Sequence, residues 1–436
     1  MSNKQITLFY QGKQKVNLDF SAEAVSSDGA IVLSKKLERK YGLIEQFCQD
    51  IPDGRDSRYI DHSVEQMVRQ RVFLLMQGYD DCNDVDRLKE DPVISEMLGG
   101  SLCSQPSMSR FENSIPVRTI YQLSLKWIER YVASIENGRK KIVIDVDGTD
   151  DPTHGAQQLS MFNGYYGQFM YHLLLFKDGD TGQIILPVLR PGNTHSSRWF
   201  VKILERIVDC IRARFANMEI IIRADCGFSG PSIYSLAEDK QLKYCIGISA
   251  NERLKRHTAK AEKAVRRQYL EKGLKHQHFM GGFTYQADTW DKPQTCYAKV
   301  ESTAKGMNIR YFMSNLPDRQ ARQIYLDFYV KRADASENRI KELKNMCYAD
   351  RLSCHKFTAN YLRLFFSCLC YEFFRLIKTL IQRTTFKHAH KWQIDNIRLY
   401  VMKVGAILRK KVRSIQVSFS KAYICQNLFA RLLQLC

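Results

Sequence analysis

Residues 142–155 read I-V-I-D-V-D-G-T-D-D-P-T-H-G. Ile142, Val143, Ile144 and Val146 are β-branched and suit a buried strand. Asp145 and Asp147 lie two apart, so on a strand they share a face. Gly148 and the Asp151-Pro152 step predict a turn that closes the strand. Carboxylates at the exit of a buried strand are costly unless they are solvated, paired or holding a cation. A solvated strand-end turn and a cation site both meet that requirement.

Outward from this stretch, residues 142–250 alternate between two periodicities. Strands are expected at 171–176 and 183–189, then a helix at 197–215. A second buried strand, 219–225, also ends in an acid, Asp225. A short helix at 233–239 and a strand at 242–248 follow. Three adjacent strands and then alternating helix and strand predict a mixed α/β sheet. The stretch 251–321 breaks that rhythm. Its first part, 253–275, is strongly basic, and β segments follow at 279–290, 294–300 and 308–315. It reads as an insertion with a small sheet of its own. Helical pattern resumes over 323–346.

The flanks are mainly helical. Residues 1 to about 24 predict a short β-type lead-in, with a strand-like run at 6–10 and a turn at Gln11-Gly12. Over 34–136 the pattern is helical, with a Ser63/Gln66 capping box and a C-terminal cap at Gly78. The polar start at 104–111 fits either a DNA-recognition helix or a surface helix packed on its neighbour. Residues 353–436 are helical and basic, with a strand expected at 414–420. The apolar run 361–377 carries Arg363, Glu372 and Arg375, which makes it a buried helix rather than a membrane span.

The chain has 436 residues, 44% hydrophobic and 26% charged, which suits two or three globular domains. Lys and Arg number 66 against 46 Asp and Glu, a net charge of +20. That excess favours a polyanionic partner, most simply nucleic acid. The 13 cysteines form no C-x-x-C pair, and their odd number predicts reduced thiols in a cytoplasmic protein. The close pairs His276/His278 and His388/His390 lack the cysteines that would complete a zinc site.

A third acid completes the chemistry. Glu337 lies on the late helix, in Y-V-K-R-A-D-A-S-E-N-R-I-K-E-L-K from Tyr329 to Lys344. Carboxylates from two strands and one helix make an oxygen-rich site for two Mg²⁺ ions, hard cations whose water ligands phosphate oxygens replace. Such a pair serves in-line phosphoryl transfer. Glu337 and Lys344 are seven apart and share a helix face. Asp145 rivals Asp147 as first ligand, and Asp334 rivals Glu337 as third.

These features together resemble DDE transposases of bacterial insertion sequences. The residues that carry the resemblance are D-G-T at Asp147, I-I-R-A-D-C-G-F around Asp225, and the Tyr–Arg–Glu–Lys helix. It is nearest to the cut-and-paste branch named for that Tyr-Arg-Glu-Lys signature. N-G-Y-Y-G at Asn163, L-R-P-G-N-T-H-S at Leu189 and A-D-R-L-S-C-H at Ala349 look like segments of one subgroup. The resemblance covers roughly residues 140–410 and rests on these motifs jointly.

It implies an RNase H-like catalytic core interrupted by a β-rich insertion, between helical N-terminal and C-terminal regions. The implied division is an end-binding region at 1–138, core at 139–250, insertion at 251–322, the Glu-bearing helix at 323–350 and a basic region at 351–436. Asp147, Asp225 and Glu337 would be catalytic metal ligands, for two Mg²⁺ ions or substituting Mn²⁺. Tyr329, Arg332 and Lys344 would contact phosphates near the cleaved end. The family pattern has three residues between Arg and Glu, and this chain has four, which predicts a bulge or a shifted helix start.

The insertion carries Phe279, Phe283, Tyr285, Trp290, Tyr297, Tyr311 and Phe312 beside a basic run. Trp290 is the first choice for an exposed ring that holds a flipped base during hairpin formation. The expected partners are double-stranded DNA, as terminal inverted repeats and target, with a homodimer in the DNA complex and no membrane. The expected location is the bacterial cytoplasm, at the nucleoid when bound to DNA. The competing functions are a metal-dependent nuclease that cleaves without joining and a non-catalytic DNA-binding protein.

Overall fold

The computed structural model describes residues 6–273, 275–316 and 320–436. The side chains of residues 333–336 lie outside that description, and with them the alternative ligand Asp334. Two compact units divide the chain. One comprises residues 115–345 and 349–368, the other residues 1–114, 346–348 and 369–436.

The first unit is built on a nine-stranded sheet. Its strands are β1 (Lys141–Pro152), β2 (Met161–Asn163), β3 (Gln168–Asp178), β4 (Ile184–Pro191), β5 (Glu219–Ala224), β6 (Lys243–Ile248), β7 (Gln277–Tyr285), β8 (Gln294–Thr303) and β9 (Gly306–Ser314). The order is β7-β8-β9-β6-β5-β1-β3-β2, with β4 also on β3. Within it, β4-β3-β1 are antiparallel neighbours, and β1, β5 and β6 run parallel. Three antiparallel strands followed by two parallel ones on the far side of the first is the RNase H-like arrangement expected.

Helix α1 (Phe200–Arg214) makes the crossover from β4 to β5, and α2 (Pro231–Asp239) that from β5 to β6. The core is the usual apolar one. Ile142, Ile144 and Val146 of β1, Leu173 to Phe176 of β3, and Ile220 to Ile222 of β5 are buried. The inward stripe Phe200, Leu204, Ile207, Val208 and Ile211 of α1 is buried too.

Two expectations need correction. The strand at 142–147 does not end at Gly148. It runs on to Pro152, because Gly148–Pro152 find antiparallel partners in Leu174–Met170 of β3. The insertion also has no sheet of its own. Strand β9 pairs antiparallel with β6, so β7–β9 extend the core sheet past what would be an open edge. The basic segment forms helix α3 (Glu252–Glu271), whose Leu254, Thr258 and Val265 are its buried residues.

The late helix runs from Ala321 to Met346 with changing pitch. It is α over Ala321–Ile324, π over Tyr325–Val330, α over Lys331–Lys341 and π again over Glu342–Met346.

The second unit begins with a hairpin, Ile6–Gln11 with Gln14–Leu18, turned at Gly12 with φ 62°. The Ser63/Gln66 capping box opens the Val64–Gln77 helix, and Gly78 closes it in the left-handed conformation. The predicted recognition segment is the helix Gln105–Ser114. Strand Ser414–Phe419 pairs with Ala406–Lys411, which pairs with Val25–Ser26. The apolar run falls in the helix Phe357–Gln382. Among the described residues no helix is long and apolar enough to cross a membrane.

Candidate active site

The parallel ladder between β1 and β5 ends at Val146 opposite Ala224. The next residues on these neighbouring strands are Asp147 and Asp225. Neighbouring strands lie about 5 Å apart, so the two acids stand side by side where the sheet opens. Both line an open cleft of about 400 Å³. Across it, the late helix contributes Arg332, Glu337, Ile340, Lys341, Lys344 and Asn345.

Each acid has its own setting. Asp147 is buried. Its Oδ2 lies 3.6 Å from Nζ of Lys177, and its Oδ1 accepts a hydrogen bond from Nη1 of Arg332. Asp225 caps the turn that follows β5, and its Oδ1 accepts the Gly227 amide at 2.8 Å. Burial raises the Asp225 pKa, a rise that the Gly227 amide and Arg332 oppose and Asp147 adds to. Glu337 is exposed.

Lys177 is a residue that the sequence reading missed. It is 2% exposed, on β3 directly opposite Asp145. Its ammonium reaches the next residue on the same face of β1, the diagonal contact of an antiparallel pair. Burial pushes its pKa down, against the pull of Asp147 and Asp145. A lysine ending the apolar run of β3 was the available signal, but its register against β1 is not written locally.

Asp145 is fully buried and occupied. Nε and Nη2 of Arg223 hold its two oxygens at 2.6 and 2.8 Å. It is not among the residues lining the cleft.

Lys344 donates to the Asp150 carbonyl at 2.6 Å, to Asp150 Oδ1 at 3.0 Å and to Thr149 Oγ1 at 3.3 Å. Arg339 donates to the Gly179 carbonyl at 3.0 Å, fixing the helix to the turn after β3. Burial disfavours the charge on Arg332, but Asp147, Asp225 and Asp145 outweigh it and raise its pKa. Arg332 and Glu337 lie in the α segment, five residues and so about 140° apart around the axis. That offset turns Arg332 onto β1 while Glu337 stays at the cleft's open side. Tyr329 packs its ring on Phe312 and Tyr325, with centroids 5.4 and 5.5 Å away, and is half-buried.

The structure corrects the choice of Trp290 as an exposed ring. It is buried in a cluster with Tyr234 and Tyr285, centroids 4.9 and 5.3 Å away. It lies beyond the end of β7, where apolar contact with α2 outweighs exposure. Of the seven insertion aromatics named above, Phe279 is the large exposed one, at 46%.

The donor set suits a hard divalent cation, since the acids offer only carboxylate oxygens. Among the described residues, no three His, Cys, Asp or Glu side chains are grouped closely enough to form a ready metal cage. The guanidinium of Arg332 supplies positive charge at Asp147 instead. The residues fit such an ion once Arg332 turns away.

A family model described as transposase DDE domain group 1 matches residues 10–435. The chain belongs to that family. It is therefore a DDE transposase, an enzyme that cleaves DNA and transfers strands by divalent-metal chemistry. Among solved structures, the transposase is similar to a piggyBac transposase in a synaptic complex with hairpin DNA, determined by electron cryo-microscopy. The identity is 12%, the match covers 88% of this chain and 83% of that one, and the TM-score is 0.44. No curated protein matches the chain.

Proposed function

We propose that this transposase excises a bacterial insertion sequence and joins its freed 3′-OH ends to target DNA. Asp147, Asp225 and Glu337 are the catalytic metal ligands in this reading. The observation that carries it is that these three acids, from two strands and one helix, line a single cleft with Arg332 and Lys344. Two Mg²⁺ ions, replaceable by Mn²⁺, would activate the attacking oxygen and stabilise the leaving one.

The protein's own groups position the DNA. Lys344 and Arg332 hold phosphate oxygens beside the cut, Arg332 leaving Asp147 to do so, and Tyr329 backs Arg332 from the sheet side. Lys177 stays behind Asp147 and keeps one carboxylate oxygen turned away from the cleft. Residues 1–138 recognise the terminal inverted repeats, with help from the basic 351–436 region. Phosphate contacts give affinity there and base contacts give preference.

The second strand is cut through a hairpin, formed when the first 3′-OH attacks the opposite strand. That route needs one active site per end, so a homodimer on paired ends suffices. The enzyme works in the bacterial cytoplasm, at the nucleoid.

The test is incubation of an end-labelled element terminus with plasmid and Mg²⁺. Joined product and a transient hairpin on a denaturing gel are expected. Cleavage without joining would identify a nuclease. Second-strand cleavage with no hairpin at any time, even in slowed reactions, would remove the hairpin step.

A further inference from the structure

The N-G-Y-Y-G motif has no part in the site described so far. It forms the turn of the β2–β3 hairpin, and three observations set that hairpin apart. The first is its exposed apolar surface. Phe162 is 53% exposed, Phe169 59% and Tyr165 90%. Phe162 and Phe169 face each other across the strands, ring centroids 5.6 Å apart. Apolar rings kept side by side in water mark a contact surface.

The second is rigidity. The Asn163 side chain accepts the Tyr165 and Tyr166 amides and donates to the Gly192 carbonyl at 2.7 Å. Gly167 closes the turn at φ 68°. Gly192 packs so tightly under the hairpin that a Cβ there would meet the Met170 carbonyl at 1.9 Å. The motif that carries Gly192 thus serves to hold the hairpin.

The third is position. Gln168, where β3 starts, donates to Asp150 Oδ2 at 2.8 Å, and Lys344 holds Asp150 Oδ1. Burial, and then the charges of Asp150, Tyr165 and Asp225, push the Tyr166 phenol up to about 12. The hairpin therefore stands beside the cleft, next to the cations Lys341 and Lys344.

We propose that the exposed rings of this hairpin, the Phe162–Phe169 pair and Tyr165 at its turn, are a base-stacking platform for unpaired nucleotides of the DNA strand that enters the cleft. This inference rests on the reading of the cleft as the site of DNA cleavage. A polyanion drawn to the cleft by Lys341 and Lys344 brings bases within reach of rings that offer their faces to any base. Stacking of this kind tolerates sequence, since every base has a π-face. The rings lie on the catalytic sheet itself rather than in the insertion.

The experiment uses the full-length protein in EDTA, with a random-sequence forked duplex carrying 2-aminopurine in its unpaired arm, and a blunt duplex of the same sequence. The parent protein should quench the 2-aminopurine. Tyr165→Ala and the double variant Phe162→Ser/Phe169→Ser should lose quenching and bind the fork about tenfold more weakly, with blunt-duplex affinity and melting temperature unchanged. Equal loss on both duplexes, or no loss on the fork, overturns the proposal. So does conversion of a dimer to a monomer by these changes, since a second copy of the chain would then be the occupant. The assay needs no metal, so it stands apart from the catalytic reading. That reading fails separately, if Asp147→Asn or Glu337→Gln still cleaves with Mg²⁺.

Discussion

The two walls of the cleft are made differently. The strand wall presents Asp147 and Asp225 from inside a nine-stranded sheet, and buried or backbone partners fix both. The helix wall presents Glu337 exposed, and Arg332 and Lys344 bound to carboxylates and a carbonyl that phosphate or metal can replace. Acids on buried strands need permanent compensation, which Lys177 and Arg223 supply. Charges on the helix keep partners that they can exchange. The wall that holds geometry and the wall that responds to DNA are thus separate structures.

The largest expected effect cuts across both walls. Asp147→Ala, Asp225→Ala and Glu337→Ala should each lower single-turnover cleavage by at least ~10³-fold, with binding to element ends retained. The walls then part in melting experiments. Glu337→Ala should melt like the parent, whereas Asp147→Ala should melt lower, because the buried Lys177 ammonium loses one of the two carboxylates that offset its burial. Equal melting of the two would break the distinction.

Next comes Asp145→Ala, which leaves Arg223 buried without its bidentate partner. Denaturant unfolding should show a loss of about 3–5 kcal/mol. Any effect on cleavage should follow stability rather than metal concentration. If Asp145→Ala is folded and inert while Asp147→Ala cleaves, the first ligand is Asp145.

Arg332→Ala should slow cleavage by about 10²-fold, through loss of a charge-assisted contact to phosphate. In the absence of DNA the same change should strengthen Mn²⁺ binding, read as a larger rise in melting temperature with Mn²⁺ than the parent shows. An unchanged Mn²⁺ response would mean that Arg332 does not compete for Asp147.

The smallest effect concerns Asp151, whose buried carboxylate oxygens have no hydrogen-bond partner among the described residues. Burial raises its pKa well above 3.8. A raised carboxyl contributes stability below its unfolded pKa and loses it as pH rises through the folded value. Asp151→Asn has no such loss. It should melt higher than the parent at neutral pH, and the gap should close as pH falls toward 3.8. A gap independent of pH would show that Asp151 is not the titrating group.

Much of the strand wall was legible because buried strands are written locally. The β-branched runs 142–146 and 220–222 and the acids that end them fixed two strands and two candidate ligands. Pairing is not written locally. The continuation of β1 to Pro152 depends on Met170–Leu174, and the role of Lys177 on its place opposite Asp145. The union of the insertion with the core depends on β9 meeting β6, which lie about sixty residues apart. Trp290 was misjudged for the same reason, since Tyr234 covers it from a distant helix. On the helix wall the residues were legible and the pitch was not: the extra residue before Glu337 predicted a bulge or a later helix start, but Arg332 and Glu337 share one α segment and the π stretches lie on either side of it.

That pitch bears on how such chains diverge. The Lys331–Lys341 segment is flanked by π stretches at Tyr325–Val330 and Glu342–Met346. A π turn holds about one residue more than an α turn, so a residue lost there converts the turn to α, and a residue gained in an α turn does the reverse. Each flank is a place where chain length can drift by single residues while Arg332 stays opposite Asp147. In comparisons among relatives, single-residue gaps fit those two stretches as well as the known one between Arg332 and Glu337, and an ungapped alignment through any of them would pair arginine or glutamate with the wrong neighbour.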